Sequence, residues 1–316
     1  ARAREAARRA SCQNNLKQIG LAFKMYANES RGEKWPTQGT EFDDLEDDLE
    51  AIVTFHGPAV YPEYLSDLAV LFCPSDDALA DGLAAIDCPE GKYCGPNGGI
   101  VAERIDDDEV SYLYWSWTTV SSDEYLASSL VLAGLDPAVG AVLGAVIGTT
   151  IATPTINTND ELLAFLDRDI DLTTLGSVDT AADLEPIAQS LRSQLPGLIG
   201  AISEGAVGAA FVEPFIDEAG LSGNGNSTTI YRLREGIERF LITNINDPAA
   251  SAEAQSTVPV MWDQSSAFPA DGSGSRRFNH IPGGANVLYL DGHVEFIRYP
   301  GDYPLNEIGV IAGDLV

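Results

Sequence analysis

The first 27 residues constrain the fold of this chain more than any other segment. They contain no proline, and their large apolar positions recur at intervals of 4, 3, 4 and 3 residues: Cys12, Leu16, Ile19, Phe23 and Tyr26. This spacing places the five side chains, called the apolar seam below, on one face of an α-helix. Before Cys12 the apolar residues are almost all alanines among arginines. The sequence therefore predicts a helix over 1–27 whose second part must pack on another element.

A β-hairpin near the C-terminus offers a surface for the apolar seam. Residues 286–297 read NVLYLDGHVEFI, with Asp291-Gly292 as a two-residue turn. That turn pairs Tyr289 with Val294 and Val287 with Phe296, so four large apolar side chains share one face. Their burial would contribute about 1.5–3 kcal/mol each. We therefore expect these four residues and the apolar seam to form the core between helix and sheet.

The remaining pattern divides the chain into three parts. Residues 1–119 are expected to hold the first helix, an acidic loop and the first strands, 120–225 a mostly helical insertion, and 226–316 a further helix and the hairpin. The individual elements predicted after the first helix are strands at 51–55, 69–72, 110–119 and 258–262, and helices at 160–167, 182–195 and 230–245.

Charge is distributed unevenly along the chain. Its 48 acidic and 18 basic residues give a net charge of −30, yet residues 1–35 hold eight bases and three acids, a net +5. The other 281 residues therefore carry −35. So acidic a surface excludes nucleic acid as a partner, because phosphate binding needs Lys and Arg. The asymmetry is also suited to attraction between the basic end of one copy and the acidic body of another.

Four cysteines permit three disulfide pairings. Cys88 and Cys94 enclose the short loop PEGKY, whereas Cys12 lies on the first helix and Cys73 follows an apolar run. We predict the pairs Cys88–Cys94 and Cys12–Cys73, which favour an oxidising compartment. A zinc site is the alternative, but the chain has no Cys-x-x-Cys motif.

Candidate metal and catalytic residues are few. His280, Asp291 and His293 include two ligand types that bind iron or zinc, although the loop and turn around them also have structural explanations. Seven carboxylates lie in residues 41–50, and Asp167, Asp169 and Asp171 alternate, so Ca²⁺ is a possible cofactor without assigned ligands. The nucleophile-elbow, phosphate-loop and zinc-protease motifs are absent from the sequence. We therefore expect no enzymatic activity.

Two segments resemble a known family. Residues 4–22, REAARRASCQNNLKQIGLA, resemble the helix that follows the membrane-embedded part of type IV pilins and type II secretion pseudopilins. Cys73-Pro-Ser-Asp, and the segment from Phe278 containing His280, Asp291, Gly292 and His293, resemble a branch of that family with a C-terminal His…Asp-Gly motif. Ten residues separate His280 from Asp291, one more than is usual in that branch.

The resemblance implies an α+β fold in which a long N-terminal helix packs on an antiparallel sheet. Members begin with a leader and an apolar helix half, and we expect the given sequence to start after both. They are anchored in the inner membrane before assembly and then form periplasmic or extracellular filaments with copies of themselves and other pilin-like subunits. Some relatives bind calcium.

Three functional hypotheses follow from the sequence. The leading one is a structural pilin-like or pseudopilin-like subunit that assembles through its N-terminal helix. The second is a filament-displayed or envelope binding module that uses the 120–225 insertion. The third is a metal-dependent envelope hydrolase using His280, Asp291 and His293.

Overall fold

The helix predicted from the apolar seam is the longest element among the described residues. In the computed structural model, α1 spans Arg2–Glu29. Cys12, Leu16, Ile19 and Phe23 are fully buried, and Tyr26 is half-buried with its ring against that of Tyr64. No residue from 3 to 11 is buried. The helix thus has an exposed first part and a second part with one inward face.

The structure describes residues 2–40, 51–105, 110–135, 154, 156, 158–175, 223–241, 254–266, 277–306 and 309–310. After α1, the α-helices are α2 Gly57–Val60, α3 Leu79–Ala85, α4 Ser122–Ala133 and α5 Asn159–Leu166. The strands are β1 Gln38–Thr40, β2 Ala51–Phe55, β3 Tyr112–Tyr114, β4 Ile170–Asp171, β5 Thr229–Ile230, β6 Pro259–Asp263, β7 Ser265–Ser266, β8 Arg277–Phe278, β9 Gly284–Tyr289 and β10 Val294–Arg298. Short 3₁₀ helices span Leu68–Leu71, Ala102–Arg104, Leu172–Leu175, Asn224–Asn226 and Ile237–Phe240.

A four-stranded antiparallel sheet in the order β10-β9-β6-β3 organises the core. Because successive side chains of a strand point to opposite faces, this sheet has two apolar sides. One side meets α1 through residues such as Tyr114 and Leu288. The other meets α4 through residues such as Trp262 and Val287. The long helix and the antiparallel sheets confirm the predicted α+β class.

The hairpin forms where expected, but its predicted register is wrong by one residue. Val294 pairs with Leu288, and Phe296 pairs with Asn286. The turn is longer than two residues: Gly292 N–H donates to the Tyr289 carbonyl at 2.8 Å, and Tyr289 N–H donates to the His293 carbonyl at 3.0 Å. Gly292 has φ +92°, a conformation that glycine adopts without steric cost. The hairpin therefore closes with a three-residue loop ending in a left-handed glycine.

The changed register also corrects the predicted helix–sheet core. Val287 and Tyr289 lie in the core on the far side of the sheet, together with Trp262 and Leu130. The surface under the apolar seam includes Leu288 and Leu290, with Val294 partly buried beside them.

Gly20 shows how closely α1 approaches the sheet. A β-carbon at Gly20 would stand 3.0 Å from Leu288 Cδ1, tighter than an ordinary van der Waals contact. Phe296 is half-buried on the same side of the sheet as α1, with the Arg9 guanidinium 4.1 Å from its ring centroid.

The described part of the 120–225 segment contributes to the main core. Leu126 and Leu130 of α4, and Leu162 and Leu166 of α5, are buried in one apolar cluster with Trp262. The predicted helix at 160–167 is present as α5, whereas the one at 182–195 lies outside the described residues. This cluster makes the described part of the segment continuous with the far side of the sheet.

Two predicted elements have a different structure. Residues 69–72 were expected as a strand, but Leu68–Leu71 form a 3₁₀ helix whose start is capped by Asp67, which accepts from Ala69 N–H at 3.0 Å. The predicted helix at 230–245 is wrong over its described part, 230–241. Gly236 has φ +75°, and only Ile237–Phe240 make a helical turn.

Buried Arg232 explains why the chain is extended before Gly236. Its guanidinium donates to the carbonyl oxygens of Trp35 and Pro36, both at 3.0 Å, and of Ser116. Its backbone N–H donates to Asp169 Oδ1 at 2.8 Å. Together these contacts hold the backbone at Arg232 in an extended, antiparallel bridge rather than in a helix.

Truncation of the apolar seam should destabilise the protein strongly. Leu16→Ala removes a fully buried side chain from α1 and is expected to cost about 2–5 kcal/mol. Leu21 lies on the same helix with 61 % of its surface exposed, so Leu21→Ala should change stability by only about 0.5 kcal/mol or less. Denaturant unfolding of the oxidised protein measures both values. Equal losses for the two variants would contradict the observed orientation of α1.

Candidate functional site

A buried polar cluster surrounds His280 on the α1 side of the sheet. His280 lies between β8 and β9 and is 0 % exposed. Its Nδ1 is 2.8 Å from Glu5 Oε1, which α1 provides. Its Nε2 is 3.2 Å from Asp263 Oδ2 at the end of β6, and 3.6 Å from Cys73 Sγ. Three separate parts of the chain thus bring functional groups to the imidazole of His280.

Asn286 of β9 holds the Asp263 carboxylate in place. Asp263 Oδ2 accepts the backbone N–H of Asn286 at 2.6 Å and its side-chain amide at 2.8 Å. The same amide nitrogen is 3.0 Å from His280 Nε2. The second carboxylate oxygen, Asp263 Oδ1, is buried and has no hydrogen-bond partner among the described residues. Burying an unpaired polar atom costs free energy, so this oxygen is an acceptor that lacks the partner a buried carboxylate normally has.

Both disulfides pair the cysteines that the sequence analysis proposed. Cys88–Cys94 closes the short loop, and its Cα atoms are 5.5 Å apart. Cys12–Cys73, with Cα atoms 5.4 Å apart, joins α1 to the segment after the Leu68–Leu71 turn. Asn15 reinforces this junction by donating to the Phe72 carbonyl at 3.2 Å. The second disulfide therefore lies directly beside His280.

The electrostatics of the cluster favour a charged Glu5–His280 pair. Burial disfavours the imidazolium, but the hydrogen bonds and charges of Asp263 and Glu5 outweigh it and raise the pKa of His280 above 6.5. Burial acts to raise the pKa of Glu5, yet the hydrogen bond and charge of His280, with hydrogen bonds from Ser75 and Arg9, lower it below 4.5. The two groups thus stabilise each other across the contact between α1 and the segment that joins β8 to β9.

The contribution of this pair to stability should have a maximum in pH. The part due to His280 is complete below its unfolded pKa of about 6.5 and is lost as pH rises through the raised folded pKa. The part due to Glu5 is complete above its unfolded pKa of about 4.3 and is lost as pH falls through the lowered folded pKa. The difference in unfolding free energy between wild type and Glu5→Gln should therefore be largest between these two unfolded values.

Urea unfolding of the oxidised protein across this pH range measures the difference. Glu90→Gln, at an exposed carboxylate in the Cys88–Cys94 loop, is the matched control and should show no such maximum. A pH-independent effect of Glu5→Gln would contradict the ion pair.

The two disulfides should contribute unequally to stability. Cys12 and Cys73 are 61 residues apart, and Cys88 and Cys94 are 6 apart. Loop-closure entropy then assigns about 4 kcal/mol to the first pair and about 2 kcal/mol to the second. Thermal or denaturant unfolding of Cys12→Ser/Cys73→Ser and Cys88→Ser/Cys94→Ser compares them directly. A larger loss from the second double variant would contradict this order.

The residues proposed as a metal set do not converge. Asp291 and His293 lie in the hairpin turn, where His293 Nδ1 is 2.6 Å from Asp291 Oδ1. The His293 ring also stacks on Tyr289, with ring centroids 4.3 Å apart. His280 has its own buried partners instead. Across the part of the chain that the structure describes, neither Asp291 nor His293 belongs to a group of three or more close metal-ligating side chains.

The candidate calcium residues also have other contacts. Asp167 accepts Lys34 Nζ at 2.7 Å, Asp169 accepts from Arg232, and Asp171 accepts Thr173 N–H at 3.0 Å. The acidic segment 41–50 lies outside the described residues.

Sequence reasoning identified His280 but missed its partners. Glu5 is one of several charged residues in the first helical turns, and Asp263 follows an apolar strand without any motif. Asn286 lies within the hairpin segment that the resemblance covers, where only the apolar alternation was interpreted. These partners come from α1, β6 and β9, which are distant in sequence, so only the tertiary fold reveals them.

The comparisons with known proteins give one family match. Residues 1–119 match the family model described as "Protein of unknown function (DUF1559)", a bacterial family whose members commonly have a pilin-like N-terminus. The match spans α1, both disulfides and β3. Neither the search of curated proteins nor that of solved structures returned a match. No helix within the described ranges has the length and apolar character needed to cross a membrane.

Proposed function

We propose that this chain is a structural, pilin-like subunit of the bacterial cell envelope that assembles with copies of itself through α1. The observation that carries this proposal is the division of α1. Its second part is buried in the subunit's own core, whereas residues 3–11 bury no side chain. A helix that packs inward along only part of its length has surface available for neighbouring subunits.

The exposed surface of α1 has both apolar and charged groups suited to self-association. Leu21 and Met25 are 61 % and 45 % exposed, and their spacing of four residues places them on one side of the helix. Arg4 and Arg8 are exposed closer to the N-terminus. Because the chain beyond residue 35 carries a net −35, a second copy offers the opposite charge to this basic helix end.

Location in the envelope is part of the same proposal. Two disulfides are typical of proteins that reside in an oxidising compartment, and the match over residues 1–119 is to a family that commonly has a pilin-like N-terminus. We propose anchoring in the inner membrane before assembly, a periplasmic or extracellular filament afterwards, and contacts with other pilin-like subunits. We propose no catalytic role, since the residues suggested for a hydrolase are divided between the core and the hairpin turn.

Filament formation tests the proposal directly. The protein is produced from its natural gene in a bacterial envelope, and sheared surface material is analysed by immunoelectron microscopy with antibodies to this chain. We expect labelled filaments or short envelope-spanning assemblies. Recovery of the processed protein only as a monomer would overturn the proposal.

Self-association of the present chain provides a quantitative test. Leu21→Ser/Met25→Ser removes two exposed apolar groups from α1 and should lower the association constant about tenfold or more, a change of about 1.4 kcal/mol. Sedimentation velocity at low and high salt measures it, and salt should weaken association of the unsubstituted chain because the attraction between α1 and the acidic body is screened. Leu83→Ser, at a side chain 42 % exposed on α3, is the matched control. An equal loss in both variants would show that α1 is not the contact surface.

A further inference from the structure

We propose that the His280 cluster is a metal site that becomes available when Cys12–Cys73 is reduced, and that it binds one thiophilic divalent cation of the Zn²⁺ type. The ligands are the Cys12 and Cys73 sulfurs, His280 Nε2 and an Asp263 carboxylate oxygen. These atoms all lie within 4.8 Å of one another. Two thiolates, one imidazole and one carboxylate form a ligand set that suits zinc.

The distances within the cluster fit a tetrahedral zinc ion. Usual Zn–S and Zn–N bond lengths place a sulfur and a nitrogen ligand about 3.5 Å apart, and a nitrogen and an oxygen ligand about 3.3 Å apart. The structure has 3.6 Å between Cys73 Sγ and His280 Nε2. It has 3.2 Å between His280 Nε2 and Asp263 Oδ2. Two edges of the coordination polyhedron are therefore present before any ion binds.

The surroundings of these ligands also resemble a metal site. A metal-binding histidine commonly donates its other ring N–H to a carboxylate, which fixes the ring and the tautomer. Glu5 Oε1, 2.8 Å from His280 Nδ1, is placed for this role. Asp263 is 0 % exposed, and its Oδ1 has no hydrogen-bond partner among the described residues. A cation would compensate the charge of this buried carboxylate.

Glu5 is the partner of His280 that is partly exposed to solvent. The side chains of His280 and Asp263 are 0 % exposed, whereas that of Glu5 is 22 % exposed. Glu5 therefore lies between the buried ligands and solvent, at the first turns of α1.

Formation of the metal site takes two successive steps, reduction of the disulfide and binding of the ion. A dithiol reductant breaks the Cys12–Cys73 bond by thiol–disulfide exchange, giving two protein thiols while the reductant becomes a cyclic disulfide. Zn²⁺ then displaces the two thiol protons and any proton on His280 Nε2. The disulfide and the metal thus exclude each other as crosslinks between α1 and the segment after Leu68–Leu71.

Zinc binding is measured in a Cys88→Ser/Cys94→Ser background, so that only the proposed thiols are present. The protein is reduced with the dithiol, which is then removed by gel filtration without oxygen, and Zn²⁺ affinity is measured by competition with a chromophoric chelator. We expect one Zn²⁺ per reduced chain and none per oxidised chain. Co²⁺ in place of Zn²⁺ should give the absorption of a tetrahedral thiolate site. Equal uptake by the reduced and oxidised forms, or a Co²⁺ spectrum without thiolate charge-transfer bands, would overturn the proposal.

Variants identify the other ligands. Glu5→Gln should weaken Zn²⁺ binding about 10- to 100-fold, and His280→Gln should weaken it more because it removes a ligand atom. His293→Gln in the hairpin turn is the matched control and should retain the unsubstituted affinity. Retention of that affinity by His280→Gln would overturn the assignment. Circular dichroism shows whether His280→Gln folds. If it does not fold, the difference in Zn²⁺ uptake between the reduced and oxidised forms of the unsubstituted site tests the proposal by itself.

Discussion

The packing of α1 on the four-stranded sheet is the contact on which the rest of the structure depends. Leu16, Ile19 and Phe23 are fully buried there, and the close approach of Gly20 to Leu288 brings the helix backbone down onto β9. The Cys12–Cys73 disulfide fixes the position of α1 near the start of this contact. Removing α1 would expose apolar side chains on one side of the sheet, so we expect the sheet to lose stability without the helix.

Much of this arrangement could be predicted from the sequence because it depends on local periodicity. The intervals of the apolar seam determine which face of α1 is buried, whatever surface it meets. The Asp-Gly pair marks the hairpin, but it does not determine the loop length. A loop with one extra residue moves each strand residue's partner by one, so Val294 and Phe296 share a face with Leu288 instead of with Val287 and Tyr289. The pairing register of the hairpin is therefore not determined by the local sequence pattern.

The polar cluster around His280 could not be predicted from the sequence, and the reason differs from that for the hairpin register. Glu5, Asp263 and His280 each belong to a different element, and no fixed spacing connects them. Their proximity follows from two contacts, α1 on the sheet and β9 beside β6. Likewise, the chain around Arg232 is extended where a helix was predicted, because its guanidinium donates to three carbonyl oxygens of residues more than 100 positions away. Buried polar groups of this kind are specified by tertiary structure, since each must find a partner in the interior.

The cluster also determines how the exposed part of α1 is presented. Glu5 and Arg9 are one helical turn apart on the inward side, where they contact His280 and Phe296. Arg4 and Arg8 immediately precede them in sequence and are exposed. One face of the first helical turns is therefore held against the sheet by Glu5 and Arg9, and the opposite face is exposed. These turns are held in place although they bury no apolar side chain. A surface whose orientation is already fixed loses less conformational entropy on association than a free helix end would. The Glu5–His280 ion pair in this way connects the interior of the subunit to its proposed assembly surface.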